Sequence, residues 1–280
     1  MNGTLYVVAT PIGNLEDLSP RARQTLADVD LIAAEDTRHT GRLLLHFGVK
    51  TRLLALHDHN EADRAGTVID ALRSGQSVAL VSDAGTPLIS DPGYRVVQAA
   101  HEAGIKVSPV PGPSALAAAL SVAGLPTDRL CFEGFLPSKQ KARRDRLAGL
   151  AGEPRTLVFY ESVHRVPDCV DDMIEVFGED RRACISRELS KLHEQVQLAS
   201  LAELRAQLEA GGIKSKGEFV IVVAGSDRAA QSSLEIDTLL SELAGKLPDK
   251  EVARILARAT GAKRNAIYRR LLEIASLRSQ

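Results

Sequence analysis

The chain has 280 residues, of which 44% are hydrophobic and 25% are charged, and its formal net charge is -1. This length and composition predict a soluble globular protein of two or three compact units. No apolar run reaches the length of about 18 residues that a membrane span needs. The N-terminus also lacks the basic segment of a signal peptide. We therefore expect a cytoplasmic protein with no membrane partner.

Neither a disulfide framework nor a metal site is expected from the cysteines and histidines. The three cysteines are odd in number and far apart: Cys131, Cys169 and Cys184. His57 and His59 would share one face of a strand. No third cluster of ligands is spaced to complete a metal site with them, so a polar loop is the preferred interpretation.

Five β-prone runs in the first 125 residues alternate with helical patterns. Ser19 and Pro20, for example, predict an N-cap followed by proline at the first helical position. This alternation predicts a mostly parallel sheet, with ligands at the carboxyl ends of its strands. The predicted strands are Leu5–Ala9, Leu31–Ala34, Leu53–Leu56, Ser77–Val81 and Ile105–Val107, the last followed by a loop from Pro109.

The loop from Ser82 to Gly93 follows the fourth strand and contains two glycines and two prolines. An ordinary strand-to-helix turn, which takes roughly two to six residues, is the alternative interpretation. The greater length and the composition favour a ligand-binding loop, with a helix that begins near Pro92.

The spacing of the strands changes after Pro126, and the pattern predicts a second, mixed sheet. Its predicted strands are Arg129–Phe135, Thr156–Tyr160, Ala183–Ser186, Gln195–Leu198 and Phe219–Ala224, with helices after Ser138, at Pro167–Phe177 and at Leu201–Ala210. A polar linker and three helical patterns follow: Ser226–Ser233, then Leu234–Gly245, Asp249–Thr260 and Arg264–Ala275. We expect an N-terminal α/β domain at 1–125, a second α/β domain at 126–226 and a helical module at 234–280.

Common nucleotide and hydrolase motifs are absent. The first strand is not followed by Gly-x-Gly-x-x-Gly, and the chain has neither a Gly-x-x-x-x-Gly-Lys-[Ser/Thr] loop nor a Gly-x-Ser-x-Gly elbow. Nucleotide hydrolysis and ordinary Rossmann chemistry therefore lose support.

Five loop segments, taken together and in this order, resemble a known family. They are Thr10–Asp17, Ala34–Arg38, Ser82–Gly93, Pro111–Ala115 and Phe159–Arg165. They are similar to the loops of the tetrapyrrole-methylase-type methyltransferases, in the ribosomal RNA small-subunit methyltransferase I branch. The resemblance implies S-adenosylmethionine in a cleft between two α/β domains, and a homodimer. It also implies 2′-O-methylation of a cytidine in the decoding region of 16S ribosomal RNA, free or in the small ribosomal subunit, and not of DNA.

Cofactor contacts follow from the same motifs. The resemblance places these residues at the cofactor: Pro11, Asp83, Gly85, Thr86, Ser114 and Ala115, with Tyr160, Glu218 and Phe219 from the second domain. Loops rich in proline, glycine and serine offer backbone groups to a ligand without bulky side chains. The alternative roles are turn formation for Pro11 and Gly85, helix capping for Asp83 and Ser114, and core packing for Tyr160.

A ribose hydroxyl is a poor nucleophile, so we expect a group that accepts its proton or orients it. The candidates are Glu35, Asp36, Glu161, His164, Lys191 and Glu194. The alternative for each is a solvated loop charge or a salt bridge between the two domains.

Two local clusters of basic residues predict phosphate contacts. The first follows Ser138 and comprises Lys139, Lys141, Arg143, Arg144 and Arg146. The second lies in 248–280, where eight basic residues face three acids, and includes Arg264, Arg269 and Arg270. The alternative is a solvated helix face. Few aromatic residues lie nearby, which favours recognition of a folded RNA by its shape.

Two other functions stay open at this point. One is a tetrapyrrole or other small-molecule methyltransferase, which the basic clusters disfavour. The other is a non-catalytic RNA-binding factor in ribosome assembly, which the complete set of cofactor loops disfavours.

Overall fold

The computed structural model describes residues 2–58, 60–214, 216–226, 239–240, 242–243, 246–260 and 264–278. The chain divides into two compact units. The first comprises Met1–Ala151 and Arg155–Ala224, and the second Gly152–Pro154 and Gly225–Gln280. Two five-stranded sheets belong to the first unit. No helix among the described residues is long and apolar enough to cross a membrane.

The first sheet is entirely parallel and confirms the predicted β/α alternation. Its strands are β1 (Thr4–Val8), β2 (Leu31–Ala34), β3 (Leu53–Ala55), β4 (Val78–Val81) and β5 (Lys106–Val110). The helices that connect and follow them are α1 (Pro20–Asp28), α2 (Thr37–His46), α3 (Glu61–Arg73), α4 (Tyr94–Glu102) and α5 (Ala115–Val122). Every residue of β2 and β4 is buried, because helices cover both faces.

The strand order β3-β2-β4-β1-β5 creates a crevice at the centre of this sheet. Helix α1 packs on one face through Ala22 and Leu26. Helix α4 packs on the other face through Val96 and Ala100. The chain therefore leaves the neighbouring strands β1 and β4 toward opposite faces, and ligands bind outside the carboxyl ends at such a point.

Strand β5 is longer than predicted. Ser108 and Pro109 lie beyond the predicted end at Val107, and they pair with Tyr6 and Val7 of β1. The strand lies at the edge of the sheet, where proline is tolerated because no second neighbour needs its missing N–H.

The second sheet is mixed, as predicted, with the order β6-β7-β10-β8-β9 and one parallel pair, β6 and β7. Its strands are β6 (Leu130–Phe135), β7 (Thr156–Ser162), β8 (Arg182–Arg187), β9 (Gln195–Ser200) and β10 (Glu218–Val223). Its helices are α6 (Gln140–Leu150), α7 (Val166–Phe177) and α8 (Leu201–Glu209). Strand β7 runs two residues beyond its predicted end, so Glu161 and Ser162 belong to the sheet rather than to a loop.

The two sheets are joined by α5. Ala119 of this helix and its C-cap residue Ala123 are buried against Val158, Cys184 and Val220 of the second sheet. The other face of that sheet packs on α6, α7 and α8. The small side chains of α5 permit this close approach and leave its N-terminus at the gap between the sheets.

The second unit contains α9 (Asp249–Thr260) and α10 (Arg264–Arg278), which confirm two of the predicted terminal helices. Its core includes Leu240, Val252, Leu256, Ile267 and Leu271. Of the predicted helix at 234–245, residues 239–240 and 242–243 are described and are helical. Its other residues lie outside the described residues, as do residues 227–233 of the predicted linker and His59.

Candidate functional site

A cavity of about 400 Å³ lies between the two sheets. Most of the predicted cofactor residues line it: Gly85, Thr86, Ser114, Ala115, Tyr160, Glu218 and Phe219. They come from the loop after β4, the N-terminus of α5 and the facing ends of β7 and β10. We call this the cleft cavity. Its volume lies within the range of roughly 300 to 1,000 Å³ typical of small-ligand sites.

Backbone hydrogen bonds join the loops that form the cleft cavity. Thr10 donates its N–H to the carbonyl of Gly85 over 2.8 Å, and Gly85 donates to the carbonyl of Thr10 over 3.0 Å. Thr86 donates its hydroxyl to the carbonyl of Pro113 over 3.0 Å. Gly85 has φ +84°, a conformation that side chains disfavour. Gly85 therefore shapes the turn, which was its alternative role, and also lines the cavity.

The N-terminus of α5 lines the cleft cavity with Ser114 and Ala115, while the next backbone N–H, that of Leu116, donates to the Tyr160 hydroxyl. Ser114 is the N-cap residue, but its side chain makes no capping hydrogen bond, so its predicted alternative role is not seen. Unsatisfied N–H groups and the helix dipole favour a ligand carboxylate at such an end.

Tyr160 closes another side of the cleft cavity. Its ring contacts those of Phe132 and Phe135, with centroids 4.9 and 5.7 Å away. Burial raises the pKa of Tyr160 to about 12, so its hydroxyl stays protonated near neutral pH. The tyrosine is thus partly a packing residue and partly a hydrogen-bond donor at the cavity wall.

Asp91 also lines the cleft cavity, although it was not among the residues predicted from the sequence. The backbone on both sides of Asp91 is constrained. Leu88 and Ser90 have φ angles of 72° and 68°, although neither is glycine. After Asp91, the buried carboxylate of Glu61 accepts the N–H groups of Gly93 over 3.1 Å and Arg95 over 2.7 Å. The only available sequence signal was its place in the loop Ser82–Gly93.

Burial raises the pKa of Asp91 to about 7, and the negative charge of Glu35 adds to this effect. Burial also raises the pKa of Glu35. Glu35 accepts the N–H of Asp83 over 3.3 Å, and Asp83 accepts the N–H of Asp36 over 3.0 Å. The carboxyl ends of β2 and β4 therefore carry an acidic cluster that opposes ionisation of its own members.

Asp91→Asn should change how stability depends on pH. The raised pKa means that Asp91 favours folding below pH of about 4 and loses that contribution as the pH rises toward 7. The variant should gain stability relative to wild type between pH 5 and pH 8 by about 1 to 2 kcal/mol, after allowance for solvent screening. Urea unfolding at both pH values measures this. A stability difference between variant and wild type that does not depend on pH would contradict the raised pKa of Asp91. The substitution Glu35→Gln should make the stability of the protein depend less on pH.

A second cavity, of about 360 Å³, adjoins the cleft cavity and shares Ile12, Ala84 and Glu218 with it. Pro11 and Asp83 line this second cavity rather than the first. The predicted cofactor residues therefore fall into two groups: most line the cleft cavity, and Pro11 and Asp83 line the adjoining cavity.

Two of the predicted catalytic residues line these cavities, and a third, Glu35, supports a residue that does. Glu161 lines the cleft cavity, but its side chain is fully buried and pairs with Arg165 at 3.1 Å. Lys191 lines the second cavity and pairs with Glu188 and Glu218, each at 2.9 Å. Glu35 supports Asp83 by the hydrogen bond described above. Glu161 and Lys191 are therefore held in salt bridges, but these lie within residues 126–226 and do not join the two predicted domains.

The other catalytic candidates are not brought together. Asp36 caps α2, and its carboxylate pairs with Arg38 at 2.7 Å, a hydrogen bond that lowers the pKa of Asp36. Glu194 accepts the N–H of Ser190 over 2.7 Å. His164 is exposed, in the turn after β7. No group of three or more His, Cys, Asp or Glu residues in the described ranges is arranged to hold a metal ion.

The basic cluster on α6 differs from the prediction, because Arg143 is buried. Its guanidinium pairs with Asp172 at 2.6 Å, on the same helix face as the core residue Leu147. Arg144 is half-buried and pairs with Asp172 and Glu175, and Arg146 pairs with Glu133. Lys139 and Lys141 are exposed, and neither has an ion pair within the described residues. These two lysines are the surface cations that remain from the predicted cluster.

The three arginines named above for the second basic cluster lie on α10. Arg264, Arg269 and Arg270 are all exposed. Arg264 donates to the carbonyl of Lys250 over 3.4 Å.

Comparison with known proteins identifies the family. Residues 4–205 match the Tetrapyrrole (Corrin/Porphyrin) Methylases, and residues 230–275 match the RsmI C-terminal HTH domain. A protein from Escherichia coli O157:H7 named ribosomal RNA small subunit methyltransferase I is 52% identical, over 97% of this chain and 95% of its own length. A protein of the same name from Xylella fastidiosa (strain Temecula1) is 55% identical, over 95% and 98%.

Solved structures show the same fold at much lower identity. The crystal structure of uroporphyrin-III C-methyl transferase from Thermus thermophilus, complexed with S-adenyl homocysteine, superposes with a TM-score of 0.54 at 18% identity. The match covers 79% of this chain and 97% of that chain. These matches confirm the resemblance and the fold class expected from the loops. The chain therefore belongs to the tetrapyrrole (corrin/porphyrin) methylase family and, within it, to the group of the ribosomal RNA small subunit methyltransferase I proteins.

Proposed function

We propose that this protein is an S-adenosylmethionine-dependent methyltransferase that methylates the ribose 2′-hydroxyl of a cytidine in the decoding region of 16S ribosomal RNA. The observation that carries the proposal is the identity of 52% and 55%, over nearly the whole chain, to proteins named as small-subunit ribosomal RNA methyltransferases. The helical region at 230–275 is included in the resemblance.

The cleft cavity supports S-adenosylmethionine as the cofactor. The donors at Ser114 and Ala115 suit a carboxylate, and the apolar side chains of Phe219 and Val220 suit an adenine ring. The carboxylate of Asp91 attracts the positive charges of a sulfonium and an amino group. The nine predicted cofactor residues remain candidates, with Pro11 and Asp83 at the edge of the site.

Methyl transfer needs little covalent chemistry from the protein. The bound cofactor supplies an activated methyl group, and the protein must hold the acceptor oxygen about 3 Å from it and exclude water. Among the carboxylates of the cleft cavity, Asp91 has a pKa near neutrality, whereas Glu161 is held by Arg165. We propose Asp91 as the better proton acceptor.

The cellular location, the oligomeric state and the domain bounds are proposed from the family resemblance. We propose a cytoplasmic homodimer with α/β domains at 1–125 and 126–226 and an RNA-contacting module at 234–280. The match of 230–275 to a helix-turn-helix domain supports the last point, since such domains place a helix against nucleic acid.

Labelling with the methyl donor tests the function. The protein is incubated with radiolabelled S-adenosylmethionine and one of three acceptors: unmodified small ribosomal subunits, naked 16S ribosomal RNA, or uroporphyrin-III. We expect label in the ribosomal RNA and a block to alkaline cleavage at one cytidine, the signature of a 2′-O-methyl group. Label in the porphyrin, or in none of the three, would refute the proposal.

The exposed lysines of α6 lead to a separate prediction. The double substitution Lys139→Ala and Lys141→Ala should weaken binding to small subunits and reduce the slope of log affinity against log salt by about 1 to 2, because fewer counterions are released. Cofactor affinity should not change. Arg205→Ala is a control, since its charge is already paired with Asp171 at 2.6 Å. An unchanged salt slope in the double variant would assign the lysines to a solvated surface.

A further inference from the structure

One face of α2 carries three exposed basic residues with helical spacing: His39, Arg42 and His46. His39 and Arg42 line the second cavity, and His46 lines the next cavity, of about 530 Å³. Within the described parts of the chain, neither the side chain of His39 nor that of Arg42 has an ion pair or a hydrogen bond. In contrast, the neighbouring Arg38 is held by Asp36.

The facing wall is the loop between β8 and β9. Lys191 is fixed there by Glu188 and Glu218, and its side chain lies directly over Gly13, where a Cβ would come within 2.2 Å of the Lys191 Cγ. Leu192 follows, and it is 94% exposed although it is apolar. We call the depression lined by His39, Arg42, His46, Lys191 and Leu192 the basic groove.

The basic groove adjoins the cleft cavity. The cavities at its two ends share Gly13, Leu15 and Lys191. The inner one shares Ile12, Ala84 and Glu218 with the cleft cavity. A ligand that lies along α2 would therefore reach the wall of the cleft cavity.

The charges of the two sites differ. The acids that line the basic groove are Glu16, Asp83 and Glu218. Lys191 pairs with Glu218, and Asp83 keeps its negative charge while it accepts the N–H of Asp36. Among the described residues, Arg42 is the arginine of the inner part that no acid pairs with. In the cleft cavity, Glu161 is held by Arg165, and Asp91 has no ion pair among the described residues. A phosphate is thus favoured at Arg42 of the groove over the cleft cavity, where the unpaired charged group is a carboxylate.

We propose that the basic groove binds the single-stranded RNA segment that carries the acceptor nucleotide, with phosphates at Arg42 and His39 and a base against Leu192. The inference rests on the proposed function and adds the path by which the substrate reaches the cofactor. The inner cavity, of about 360 Å³, is large enough for one nucleotide. An unpaired segment is required, because a ribose inside a regular helix cannot enter such a cavity.

The test compares Arg42→Ala and the double variant His39→Ala with Arg42→Ala against Lys50→Ala. Lys50 is an exposed cation just after α2 that lines none of these cavities, so it is a matched control. Methylation of small subunits is measured over a series of salt concentrations at saturating S-adenosylmethionine, and cofactor binding is measured by calorimetry. Arg42→Lys tests whether charge alone is enough.

For Arg42→Ala we expect a KM for small subunits raised about tenfold and unchanged cofactor affinity. The salt slope should fall by roughly 0.7 for each phosphate that the variant no longer neutralises. Arg42→Lys should recover most of the KM. The inference is overturned if Arg42→Ala and the double variant behave like Lys50→Ala, or if their cofactor affinity falls along with activity. Absence of methylation by the wild-type protein would instead reject the proposed function, and the inference with it.

Discussion

The Ala115→Trp variant should lose affinity for S-adenosylmethionine by at least about 100-fold, which corresponds to roughly 2.7 kcal/mol. Ala115 is the first residue of α5 and lines the cleft cavity. An indole ring at this position would occupy space that the cofactor needs and would cover the donors at the helix N-terminus. Isothermal titration calorimetry measures the loss.

The control for this prediction is Ala206→Trp, an exposed position on α8 that lines none of the described cavities. Both variants should keep the far-ultraviolet spectrum of the wild type, and only Ala115→Trp should lose binding. Gly85→Val is a less clean test, because φ +84° would strain a β-branched residue and destabilise the loop itself. Unchanged affinity in Ala115→Trp would place the cofactor elsewhere.

The largest effect on stability is expected at Asp172, which is fully buried on α7. Its carboxylate accepts hydrogen bonds from Arg143 and Arg144, each over 2.6 Å, and from Gln140 over 3.2 Å. Burial raises the pKa of Asp172, but these hydrogen bonds outweigh burial and the pKa is lowered. Asp172→Asn would leave the buried guanidinium of Arg143 without a counter-charge and should cost about 3 to 5 kcal/mol.

The neighbouring residue provides a matched control. Asp171 is half-exposed and pairs with Arg205 at 2.6 Å, so Asp171→Asn should cost no more than about 1 kcal/mol. Urea unfolding at pH 7 separates the two outcomes. Because the pKa of Asp172 is lowered, its contribution is present above pH of about 4 and is lost in stronger acid, where the two variants should converge. Equal losses at pH 7 would show that the Arg143 charge is solvated.

The ion pairs of Asp172 with Arg143 and Arg144 also affect how RNA-binding variants are interpreted. Arg143 and Arg144 fasten α6 to α7, so two of the five cations expected to contact phosphates act inside the protein. Their substitution would weaken activity by loosening the helix that presents Lys139 and Lys141. Loss of RNA binding in an Arg143 variant is therefore no measure of a phosphate contact.

The sequence alone determined the order and type of nearly every element, since those depend on short-range patterns. Ser19 and Pro20 start α1 as their residue types require, and the apolar runs of β2 and β4 occupy the fully buried strands. The loop Ser82–Gly93 was recognisable as a ligand loop from its length and its glycines and prolines, and the family followed from five such segments. These features are local, so neighbouring residues carry the signal.

Only the tertiary structure decided which loops and charges meet. The strand order places β1 beside β4 and so joins Thr10 to Gly85, 75 positions apart in the chain, through backbone groups that every residue possesses. Burial of Arg143 depends on Asp172, a partner on another helix, and the raised pKa of Asp91 depends on its burial and on Glu35. Charge pairing and desolvation act through space, and the sequence does not record the distances on which they depend.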